Sequence, residues 1–218
     1  YGMAKFQAEQ QLKLLEEIYP EFKVYTVVPH NVCGAQQVYN DPYRNVLSIM
    51  IHQALRNLPL FIYGDGEQKR SFSHVDDCVK AISKLIELEP IERLFNIGPS
   101  GNEITINQLA KLIINRTDSK SEIIHLDARP REVKEAFCDS WLSEDVLDYS
   151  ATKPVEDIID DVIDFITLNG FKEFKYKFRG LELYNKKPPV TWTAALFGTT
   201  HWKKNLEAEK EREKFNNS

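Results

Sequence analysis

The junction between residues 1–19 and the run that follows restricts the fold more than anything else in the chain. Residues 1–19 set Phe6, Leu12, Leu15 and Ile18 among polar neighbours and stop before Pro20. This is the pattern of an amphipathic helix ended by proline. Next comes KVYTVVPHNVCG, in which Val24 to Val28 form a short, nearly continuous β-branched run broken by Pro29. A run with no polar face to give to water predicts a strand buried on both faces of a parallel sheet. A helix followed by such a strand places the chain in the α/β class.

The same alternation continues. YRNVLSIMIHQALRNL reads as a second helix, LFIYG as a short strand ending in the turn GDGE, and VDDCVKAISKLIELE as a third helix with acids at its positive end. RLFNIG and EIIHLD read as strands. Between them, ITINQLAKLIINR carries a capping box, Thr105 with Gln108, and predicts burial of Ile106, Leu109, Ala110 and Ile113. Residues 155–166 repeat apolar side chains at Val155, Ile158, Ile159, Val162 and Ile166, a last amphipathic helix. From Lys203 the chain is almost all charged, which predicts a solvated tail.

Length and charge narrow the function. At 218 residues and 42% hydrophobic, the chain matches one globular domain or a large piece of one. A formal charge of −5 gives no general pull on nucleic acid or anionic membranes, so an anionic ligand must be held by local arginines. Cys33, Cys78 and Cys138 are far apart and form no C-x-x-C pair, which argues against a disulfide scaffold and a zinc site. A reducing, cytoplasmic compartment fits. No apolar stretch approaches the ~20 residues that cross a bilayer, and a soluble protein is expected. The chain opens at Tyr1 without an initiator methionine, and a fragment of a longer chain is expected.

Three groups of residues could carry chemistry. Tyr1 and Lys5 stand four apart on one helical face. Gly64 and Gly66 follow a strand and lead to Arg70, while Arg129 and Arg131 lie in DARPREVKE. Arginine forks take phosphate oxygens bidentately, so two loops bringing them together would make a diphosphate clamp; surface salt bridges are the plainer alternative. The five histidines lack metal-site spacing. His74 beside Asp76 and Asp77 reads better as a helix start than as a ligand cluster, and no metal is expected.

Taken in order and spacing, YGMAK, PHNVCGAQQ, YRNVLSIMIHQAL, IYGDGEQKRSFSHVDDCVKAI, LFNIGPSGNEITINQLAKLI and DARPREVKEAFCD resemble the C-terminal part of the extended short-chain dehydrogenase/reductases. Within them they are most similar to the NAD-dependent sugar-nucleotide epimerases and dehydratases. The likeness covers about residues 1–166, and ELYNKKPPVTW resembles the tail of some of these enzymes. It implies the C-terminal portion of a Rossmann-type fold: residues 1–60 close the dinucleotide domain, 61–170 are mainly substrate-binding, 171–202 are an extension and 203–218 the charged tail.

The resemblance makes YGMAK the Tyr-x-x-x-Lys motif, with Tyr1 moving the proton and Lys5 assisting it and bonding the nicotinamide ribose. A phenol has a pKa near ~10, and a neighbouring ammonium together with a cationic nicotinamide favours the phenolate. By the same likeness Asn31 contacts the substrate's diphosphate region, Arg70 and Arg129 bind its phosphates, and Glu132 holds the nucleotide ribose. Phe61 and Tyr63 fall on the strand near the nucleobase. Val28 stands where relatives usually have arginine, and Cys33 where they have tyrosine.

The activity implied is NAD-dependent epimerisation of a nucleotide sugar of the UDP-glucose/UDP-galactose type through a keto intermediate. The alternatives are a 4,6-dehydratase or decarboxylase, or a non-catalytic remnant that binds a nucleotide sugar or a partner. The family's glycine-rich loop, its NAD-selecting acid and the Ser/Thr that helps the tyrosine are expected upstream of Tyr1, so these residues alone are expected to be inactive. The partners implied are the nucleotide sugar and a second copy, joined through the helices starting at Tyr1 and Tyr43. No nucleic acid or membrane is expected.

Overall fold

The computed structural model describes residues 2–101, 103–129, 132–174 and 207. Tyr1, Arg131, the extension from residue 175 onward and the charged tail apart from Glu207 lie outside them. In chain order the elements begin α1 (Gly2–Ile18), β1 (Thr26–Pro29), β2 (Val32–Cys33), α2 (Val46–Ala54), β3 (Leu60–Tyr63), β4 (Lys69–Arg70), β5 (Ser73–His74) and α3 (Val75–Leu88). They continue with β6 (Leu94–Ile97), β7 (Ile104–Thr105), α4 (Ile106–Thr117), β8 (Ile123–Leu126), β9 (Glu135–Ala136), α5 (Trp141–Leu147) and α6 (Val155–Asn169). The expected helices and strands are present, while β2, β4, β5, β7, β9 and the short α5 had no sequence signal. The chain forms two units, each drawn from three stretches. The first is Tyr1–Val32, Ser71–Asn102 and Phe137–Lys153; the second is Cys33–Arg70, Glu103–Ala136 and Pro154–Ser218.

In the first unit β1 runs parallel to β6 in the register Thr26↔Leu94 to Pro29↔Ile97. Phe95 and Ile97 of β6 meet Cys78, Ala81 and Leu85 of α3, Leu147 of α5 and Tyr149 in one core. Burying Phe95 and Ile97 stabilises by about 1.5–3 kcal/mol each. The parallel pairing matches the sequence expectation; two-sided burial of β1 does not. Side chains alternate along a strand, so Tyr25 and Val27 lie against this core while Val28 is exposed. Helix α1 forms as expected and ends before Pro20, yet buries no residue. His74 caps α3, its Nδ1 accepting the Asp76 N–H at 3.1 Å, with Asp76 and Asp77 in the first turn. That is the helix-start reading rather than a ligand cluster.

In the second unit α2, α4 and α6 pack on one another, and α2 and α4 also pack on β3. β3 pairs in parallel with β8, Leu60↔Ile123 to Tyr63↔Leu126, and β4 lies between antiparallel β7 and parallel β9. The capping box reads as expected: the Thr105 hydroxyl accepts the Gln108 N–H and the Gln108 side chain accepts the Thr105 N–H. Ile106, Leu109, Ala110 and Ile113 are all buried, as are Ile158, Ile159, Val162 and Ile166 of α6. The second helix is shorter than its sequence pattern, beginning at Val46 behind the N-cap Asn45, whose side chain accepts the Ser48 N–H.

Candidate functional site

The parallel strands β3 and β8 end side by side at Tyr63 and Leu126, and both chains then turn. Open α/β sheets bind ligands beyond the carboxyl ends of their strands, and a cavity of ≈ 460 Å³ opens there. Tyr63, Gly64, Gln68, Arg129, Glu132 and Lys134 are among its lining residues. The turn after β3 requires its glycines. Gly64 and Gly66 have φ of 70° and 76°, and a Cβ on Gly66 would collide with the Asn107 amide. Asn107, in the first turn of α4, fixes that turn from outside. Its Nδ2 donates to the Asp65 carbonyl at 2.8 Å and to Glu67 Oε1 at 2.6 Å, and its N–H donates to the Gly66 carbonyl at 3.0 Å. Gln68 Nε2 donates to the Tyr63 carbonyl at 3.0 Å and ties the strand end to the rim.

Arg70, Arg129 and Glu132 come together. Arg129 Nη2 donates to Glu132 Oε1 at 2.7 Å and its Nε to Oε2 at 3.3 Å, a two-pronged pair. Arg70, delivered by β4, sets Nη2 3.8 Å from the same Oε1. The Arg70 and Glu132 side chains are 18% and 17% exposed. Burial lowers the Arg70 pKa from its ordinary value, with Glu132 opposing and Arg129 adding to that shift. Glu132 therefore offsets part of the cost of burying the Arg70 guanidinium. The Arg129 guanidinium also lies over the Tyr63 ring, 4.6 Å from its centroid, a cation–π contact. Arg129 and Glu132 line the cavity, whereas Arg70 is not among its lining residues and reaches it only through Glu132.

Lys5 and Asn31 belong to the first unit. Lys5 is an exposed residue of α1, and Tyr1 lies outside the described residues. Asn31 has φ of 41°, its Nδ2 donates to the Ser71 carbonyl at 2.8 Å, and its carbonyl accepts the Ser73 N–H. Phe61 is buried in β3. Sequence reasoning missed Asn107, Gln68 and Lys134. Asn107 carries no signal of its own, because its partner turn lies some forty residues away. The Arg129–Glu132 pair could have been read from its three-residue spacing.

Residues 1–98 match the profile of the NAD dependent epimerase/dehydratase family. The chain is 27% identical over 179 residues to the UDP-glucose 4-epimerase of Pasteurella multocida, covering 74% of this chain and 52% of that protein. It is 42% identical over 93 residues to UDP-glucuronic acid decarboxylase 4 of Arabidopsis thaliana, covering 43% of this chain and 20% of that one. Among solved structures, the UDP-glucose 4-epimerase of Thermotoga maritima with UDP-glucose superposes with a TM-score of 0.70 at 29% identity, over 78% of this chain and 53% of the other. The chain thus spans about half the length of the two epimerases.

Proposed function

We propose that this chain, which belongs to the NAD dependent epimerase/dehydratase family, contributes the substrate clamp and the proton-transfer pair of a nucleotide-sugar 4-epimerase acting on UDP-glucose or UDP-galactose. The observation that carries the reading is the convergence of Arg70 and Arg129 on Glu132 beside Tyr63, at the carboxyl ends of a parallel strand pair. Two guanidiniums supply charge-assisted bonds to a diphosphate, and a carboxylate beside them accepts from ribose hydroxyls. The Tyr63 ring, already carrying a planar guanidinium, offers the flat surface a nucleobase takes.

The donor set of the first unit fits the nicotinamide end of a dinucleotide. Lys5 presents an ammonium at the surface of α1, suited to ribose hydroxyls, and Tyr1 stands four residues before it in the sequence. A bound NAD would supply reversible hydride acceptance at the sugar carbon. Tyr1 removes the proton from the hydroxyl on that carbon and later gives it back, while the Lys5 ammonium favours the phenolate. The phosphates, gripped by Arg129 and Arg70, keep the nucleotide in place while the freed sugar turns to offer its other face.

The natural protein, supplied with NAD and UDP-galactose, should form UDP-glucose, and Arg129→Ala should raise the UDP dissociation constant. Absence of conversion together with unchanged UDP affinity would remove this reading. A decarboxylase or dehydratase is the second reading, favoured by the 42% identity to the Arabidopsis decarboxylase over 93 residues. Release of carbon dioxide from UDP-glucuronate would select the decarboxylase, and loss of water from a nucleotide hexose the dehydratase.

A further inference from the structure

We infer that Glu132 is an exchangeable counter-ion that screens Arg70 from the cavity and is displaced by the ligand's diphosphate. This rests on the clamp reading above and adds an order of events to it. Both guanidiniums address one atom, Glu132 Oε1, at 2.7 and 3.8 Å. Of the three, Arg129 and Glu132 line the cavity, while Arg70 is not among its lining residues and pairs with Glu132. Arg70 already spends one donor inside the protein, Nη1 on the Lys69 carbonyl at 2.6 Å, so its Nη2 is the donor turned toward Glu132. A phosphate oxygen that approaches this donor from the Oε1 side competes with the carboxylate for it. Among the described residues, the other charged side chains lining the cavity are Asp65, Glu67, Lys134 and Glu135. Three are acids, and among the described residues Glu132 alone pairs with both guanidiniums.

The consequence is selectivity. A bare anion must displace the carboxylate and leaves it without a cation in a half-buried position, which is costly. A nucleoside diphosphate brings ribose hydroxyls that donate to the displaced carboxylate. Glu132 thereby taxes inorganic phosphates and spares nucleotides.

The test is a double-mutant cycle read by calorimetric titration of pyrophosphate into the full chain, as wild type, Glu132→Gln, Arg70→Ala and the double variant. Removing the carboxylate's charge should tighten pyrophosphate by about tenfold, and that gain should vanish in the Arg70→Ala background. Simple relief of negative charge would leave the gain intact in the double variant and would overturn the inference, as would unchanged or weaker binding to Glu132→Gln. Glu132→Asp, a more conservative change with shorter reach, should fall between wild type and Gln, and thermal melting checks each fold. If Arg129→Ala leaves pyrophosphate and UDP binding untouched in every background, the clamp reading itself fails. If Arg129→Ala weakens both while Glu132→Gln changes nothing, the clamp stands and only the exchange falls.

Discussion

Helices α1 and α4 look alike in sequence and differ in the fold. Both repeat apolar residues at helical spacing, yet α4 buries Ile106, Leu109, Ala110 and Ile113, while α1 leaves Met3, Phe6, Leu14 and Ile18 more than half exposed. A helical period states that a face asks for cover and does not name what supplies it. The difference extends to the chemistry each unit carries. In the second unit the Arg70–Arg129–Glu132 cluster is held by contacts from four directions: β3, β4, the segment after β8, and α4 behind the turn. In the first, Lys5 rides on a helix that buries nothing. Binding and turnover should therefore respond to different substitutions.

The largest expected effect tests that separation directly. Tyr1→Phe in the natural protein should cut turnover by about 10²–10⁴-fold, the usual share of a positioned acid/base, with UDP affinity unchanged. A parallel loss of UDP binding would break the comparison. Arg129→Ala should do the reverse, weakening UDP by about 1.5–3 kcal/mol through lost charge-assisted bonds. A merely exposed ion pair would move by under about 1 kcal/mol, so calorimetry decides. Gly66→Ala sharpens the role of the turn. At φ 76°, against the Asn107 amide, it should cost about 1–2 kcal/mol of stability by denaturant unfolding and loosen UDP, leaving Lys5 unaffected.

The smallest effect lies in the first unit's core. All three cysteines are buried and none forms a disulfide, and burial, with Asp77 nearby, pushes the Cys78 thiol from 9.0 up to about 11. A thiol raised in the folded state stabilises fully below its unfolded value. That contribution is lost as pH climbs from about 9 through about 11. Melting temperature should fall over this window, and a Cys78→Ala variant should fall less. At neutral pH, iodoacetamide should leave the native thiols intact and modify all three after unfolding.

Much of this was legible in the chain, for reasons that can be named. The Thr105–Gln108 box and the four buried positions of α4 follow from local chemistry and period, and they appear as read. Arg70, Arg129 and Glu132 came from a resemblance of motifs, and the fold brings them to one point. What escaped depends on distance along the chain. The two-residue strands β4, β7 and β9 are too short to show a period, and each exists because a remote segment hydrogen-bonds to it. One-sided burial of β1 escaped too, since β-branched side chains suit exposed and covered faces alike.

The register of β3 with β8 joins residues roughly sixty positions apart, so the pocket lined by Tyr63, Arg129 and Glu132 is complete only once β8 and the turn after it are synthesised. At about 5–20 residues per second, the strand ending in Tyr63 waits roughly 3–13 s for its neighbour to be translated. Until Arg129 and Glu132 follow, Arg70 has no counter-charge to meet. A nascent chain stalled short of that point would hold half a pocket, so nucleotide capture on the ribosome should begin abruptly once β8 and the turn after it emerge.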